Sequence, residues 1–140
     1  MWIHEHTADT AVPREQIWKA LADIDSWASW DTSMEAISLD GPFAVGSRIS
    51  MTPAGQDPIS STIVEITELE RYADETSFGG VALRFSHTLS ELPDGGTRIV
   101  HRLEITGDEA DAMGPELGPM ITADFPDAMD GLIAYAAKLA

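Results

Sequence analysis

Four histidines, His4, His6, His87 and His101, carry most of the chemistry this chain can offer. There is no cysteine, which excludes disulfides, thiolate nucleophiles and Cys-ligated zinc or iron–sulfur sites and leaves the redox compartment unreadable from thiols. A neutral imidazole presents one donor and one acceptor and can act as a general base near neutral pH. Two facing imidazoles could bond one another, a carbonyl or a water within a core. They could clasp a carbonyl or hydroxyl of an otherwise apolar ligand. Alternatively, one could take a proton from an acidic carbon while its neighbour donates to the forming enolate oxygen, as an aldol-type cyclisation or dehydration requires. His87 and His101 are the candidate catalytic pair.

Whether these rings meet depends on strand pairing. Residues 81–91 and 97–106 read as two long strands joined by Pro93-Asp94-Gly95-Gly96, a strong hairpin signal. If Glu91 pairs with Thr97, then Leu89 faces Ile99, His87 faces His101, Phe85 faces Leu103 and Leu83 faces Ile105. One face is then apolar apart from the two histidines, and the other carries Arg84, Ser86, Thr88, Arg98, Arg102 and Glu104. A one-residue slip would mix apolar and charged residues on both faces, so this register is preferred. Residues 2–10 also alternate, with His4 and His6 sharing a face with Trp2 and Ala8, opposite Glu5 and Asp9. All four histidines thus take inward positions. His4-Glu5-His6 has the spacing of two metal ligands on one side of a strand, but alternation alone produces such pairs often. No metal and no other cofactor is assigned.

The remaining elements must cover that face. Pro13 opens a helix with an apolar stripe of Ile17, Ala20 and Leu21, and Asp23 is expected to cap a second short helix bearing Trp27 and Trp30. The two tryptophans read as packing between this helix and the sheet before they read as a pocket wall. Asp31 is expected to turn the chain into a meander of strands over 35–39, 47–52, 59–69 and 71–78. Beyond Gly107 the spacing of Leu117, Ile121, Ala128, Leu132, Tyr135 and Leu139 predicts a long C-terminal helix, kinked or irregular near Pro119 and Pro126. The order is α+β, one domain over residues 1–140, in which an antiparallel sheet needs its apolar face covered by the last helix.

These motifs resemble the START-like, helix-grip superfamily (SRPBCC), and within it the bacterial proteins grouped as polyketide cyclase/dehydrase or lipid-transport-like. The matching residues are 11–18 (AVPREQIW), 21–31 (LADIDSWASWD), Gly41-Pro42 with Val45-Gly46, the turn Asp94-Gly95-Gly96-Thr97, and the helix end from Leu132 to Leu139. The resemblance implies a helix-grip fold, a seven-stranded antiparallel sheet wrapped around a long C-terminal helix, with two short helices between strands 1 and 2. It also implies a cavity for a small apolar or aromatic molecule, and a first strand lying antiparallel to the last. That order would extend the histidines into a row of His6, His101 and His87. The candidate ligand contacts are His6, Phe85, His87, His101 and Leu103 on the sheet, pliable Met51, and Leu117, Ile121 and Asp124 on the helix. Asp124 would either pair a histidine at the cavity mouth or lie in solvent before Pro126. Ligand binding is the first expectation. A polyketide cyclase or dehydratase using the histidines as base and carbonyl polariser is the alternative, and a protein–protein accessory module with a solid interior is a third class.

Charge narrows the partners. Twenty-four acidic residues against eight basic give −16 in 140 residues, which repels nucleic acid and anionic bilayers alike. No apolar run approaches a membrane span, and the first thirty residues lack a signal-peptide pattern, so a cytoplasmic location is expected. Phosphate-binding glycine loops and a G-x-S-x-G elbow are missing from the sequence. No pattern speaks to oligomeric state.

Overall fold

The computed structural model describes residues 1–139, apart from the side chain of Phe78. Its strands are β1 (Trp2–Thr10), β2 (Met34–Asp40), β3 (Arg48–Pro53), β4 (Ile59–Thr67), β5 (Arg71–Phe78), β6 (Val81–Glu91) and β7 (Thr97–Thr106). They form one antiparallel sheet in the order β1-β7-β6-β5-β4-β3-β2, so the chain runs as a meander from β2 to β7 and β1 closes on β7. The β6–β7 register is the one the alternation dictates, with Leu89 opposite Ile99, His87 opposite His101 and Phe85 opposite Leu103. Along β1 the odd residues from Ile3 to Asp9 are exposed while Trp2, His4, His6 and Ala8 are half-buried.

Helix α1 (Arg14–Ala22) starts after Pro13, whose carbonyl accepts from the amides of Gln16 and Ile17. Its stripe of Ile17, Ala20 and Leu21 is completely buried. The second short helix is a 3-10 helix, Ile24–Ser29. Asp23 precedes it without the expected side-chain cap. Its backbone carbonyl instead accepts from the Ser26 hydroxyl and amide. Asp31 does make the turn: its Oδ1 accepts from both the amide and the hydroxyl of Ser33.

The long C-terminal helix is in fact two helices of 13 residues, α2 (Ala110–Thr122) and α3 (Phe125–Ala137). Pro115 and Pro119 are carried inside α2, and the break falls at Ala123 and Asp124. Pro126 has no amide to give a continuing helix, and it sits instead in the first turn of a new one, where that amide is not needed.

Two tryptophans fix where these helices lie. A Cβ on Gly118 would fall 2.4 Å from the Trp2 ring, so α2 can approach β1 this closely only without a side chain there. On α3 a Cβ at Gly131 would fall 2.1 Å from the Trp30 carbonyl oxygen. Gln16 Nε2 donates to the Ala136 carbonyl at 3.0 Å and ties α1 to the end of α3. The larger apolar cluster unites α1, the 3-10 helix, α3 and the inner face of β3–β7. A smaller one joins Val81, Leu83, Leu103, Ile105, Ala110 and Phe125 under α2.

Candidate functional site

Register brings four side chains into one row across the inner face: His6 pairs with His101, His101 with His87, and His87 with Tyr72. The imidazoles of His87 and His101 stack, with centroids 4.0 Å apart and planes 15° from parallel. Phe125, the first residue of α3, continues the stack on His101 at 3.8 Å and 16°. The space above His101, expected to be open for a ligand, is therefore occupied by a ring of the protein itself. Phe125 also lies edge-on to His4 at 5.9 Å and tilted to Phe85 at 6.5 Å.

Burial holds both imidazoles neutral. It pushes His87 down to about 4, and it lowers His101 well below the ordinary histidine value, with His87, His6 and His4 adding repulsion. Among the described residues none hydrogen-bonds a nitrogen of either ring. The next residue in the row behaves differently. Tyr72 donates to Asp74 Oδ2 at 2.8 Å, and Ser61 donates to Asp74 Oδ1 at 3.1 Å. Burial pushes the Asp74 carboxyl up to about 6, although both hydrogen bonds favour its charged form. Trp27 covers this junction, 5.5 Å from Tyr72 and 6.3 Å from His87, with its own Nε1 donating to the Leu21 carbonyl.

The expected ligand contacts divide into two groups. Phe85, Leu103, Leu117 and Ile121 do come together, in the smaller cluster around Phe125 and beside the histidines. Met51 does not join them: it pairs with Ile37 and Ile59 on β3, three strands from His87, and packs against the larger cluster. Asp124 is half-buried at the start of α3, near enough to Asp31 to help raise that carboxyl, which burial raises first. His4 stacks on Trp2 at 6.1 Å, and no three His, Asp or Glu side chains among the described residues are grouped to hold a metal ion.

Phe125 and the Ser61–Asp74–Tyr72 network were not anticipated from sequence. Each had a signal. Phe125 is an aromatic at a helix break just before a proline, and Asp74 is a charge on the inward parity of β5, opposite Phe85.

Residues 1–137 match the sequence family described as polyketide cyclase / dehydrase and lipid transport. The chain belongs to that family. Among solved structures it is similar to the Zhui aromatase/cyclase from Streptomyces sp. R1128, with a TM-score of 0.79 at 16% identity over 97% of this chain and 93% of that one. It is also similar to a START superfamily protein from Mycobacterium smegmatis, with a TM-score of 0.77 at 11% identity over 99% of both chains. These likenesses establish the helix-grip fold. No functionally curated protein matches in sequence.

Proposed function

We propose that this family member binds a small apolar or aromatic molecule between the inner face of the sheet and helices α2 and α3, with His87 and His101 holding its polar atom. The observation that carries this reading is the stacked pair of neutral imidazoles beside the apolar cluster of Leu83, Leu103, Ile105 and Phe125. A neutral imidazole can donate to a carbonyl or accept from a hydroxyl, and a low-dielectric site strengthens either bond. Native mass spectrometry of the protein as purified should show a small molecule of a few hundred daltons released on denaturation. With 2-naphthol as probe, followed by tryptophan fluorescence, His87→Ala and His101→Ala should each weaken binding by about tenfold, the worth of one buried hydrogen bond. Equal affinity in all three proteins would overturn the assignment.

The cyclase or dehydratase reading is favoured by the family's description as polyketide cyclase / dehydrase, while a value of about 4 makes His87 a weak base. An imidazole that is unprotonated at pH 7 can take a proton, and its neighbour can donate to an enolate oxygen. Turnover of a poly-β-ketone lost in His87→Ala, with binding intact, would favour catalysis over simple binding.

A further inference from the structure

We infer that the ring of Phe125 occupies the ligand's own seat on His101, so that Phe125 is a specificity-determining residue whose displacement sets affinity. This rests on the binding reading above. Three rings, those of His87, His101 and Phe125, form one continuous stack with spacings of 4.0 and 3.8 Å and nearly parallel planes. A molecule reaching the His101 ring from the helix side must take the plane that Phe125 now fills. Phe125 is buried at 3% exposure and is walled by Phe85 and His4, so it cannot slide aside within the layer. It must swing out.

The fold allows that movement in one place. Helix α2 is seated on Trp2 through Gly118 and α3 is seated on Trp30 through Gly131, while between them lie only Ala123 and Asp124, with Pro126 breaking the hydrogen-bond ladder. Phe125 stands at the end of this short link. The two helices can keep their seats while the link and the first turn of α3 rearrange. A flat ring that displaces Phe125 recovers the same stacking on His101.

Because the ligand competes with an internal ring, apparent affinity is reduced by the fraction of molecules in which the seat is free. Phe125→Ala should therefore bind 2-naphthol at least about tenfold more tightly than the parent, corresponding to a seat free in about one molecule in ten. Decahydro-2-naphthol, which cannot stack, should bind both proteins more weakly than 2-naphthol but gain by the same factor. Equal affinity for 2-naphthol in both proteins would overturn the displacement while leaving the binding reading intact. No binding by either protein would overturn both. If Phe125→Ala does not fold, the parent protein decides the matter: proton contacts between Phe125 and His101 should disappear as 2-naphthol saturates and be replaced by contacts from the probe. Their persistence at saturation would refute the inference.

Discussion

Burial moves His87 and Asp74 in opposite directions, and this has a measurable consequence for stability. His87 falls from 6.5 to about 4 on folding, so the folded state binds fewer protons than the unfolded chain between those values. Its contribution is whole above about pH 6.5 and is lost as pH falls toward about 4, and His101 shifts in the same direction. Asp74 rises from 3.8 to about 6, so its contribution is whole below about 3.8 and is lost as pH rises through about 6. The two oppose one another in the same window. Asp74→Asn removes only the second, so the rise of Tm between pH 4 and 6.5 should become steeper than in the parent. An unchanged slope would contradict the burial assigned to Asp74. Tyr72→Phe takes away one of that carboxyl's two donors and should cost about 1–3 kcal/mol in chemical denaturation.

At the scale of elements, the seat of α2 on β1 gives the sharpest expectation. Alanine in a helix is ordinarily better than glycine by about 1 kcal/mol, but at position 118 its methyl would enter the Trp2 ring. Gly118→Ala should thus be destabilising, by about 1–3 kcal/mol for an overpacked contact, and Trp2→Leu in the same chain should recover part of the loss. Additive losses in the double variant would refute the contact. Elements were legible in the sequence where one periodicity ruled. The alternation of β1, β6 and β7 fixes their ends, their faces and the His87–His101 pairing, because any other register exposes apolar residues. The C-terminal segment was less legible: its apolar spacing continues across residues 123 and 124, and only the placement of Pro126 in a new first turn separates two helices from one kinked helix. Phe125 could not be placed for the same reason. Its direction depends on how the two helices divide, which no local pattern records.

Charge matters for the molecule as a whole. Four of the eight basic residues, Arg71, Arg84, Arg98 and Arg102, form ion pairs with Glu65, Asp9, Glu5 and Glu104 on the outer face of the sheet. Seven acidic residues lie between Asp108 and Asp130, with no basic residue among them. The covering helices thus repel themselves, and added salt should raise Tm by screening them, since those outer-face pairs are worth little to begin with. A Tm that falls between 0.02 and about 0.5 M sodium chloride would show that the ion pairs dominate instead. Among the described residues no helix is long and apolar enough to cross a membrane.

The paired imidazoles are the polar end of the proposed ligand seat. Long-range proton–nitrogen spectra of the four histidines during titration with 2-naphthol test this most directly. The ring nitrogens of His87 and His101 should move together to a saturating limit at pH 7.5 while remaining neutral, and those of His4 and His6 should move less. Saturable binding of the probe that leaves the His87 and His101 nitrogens where they were would contradict it.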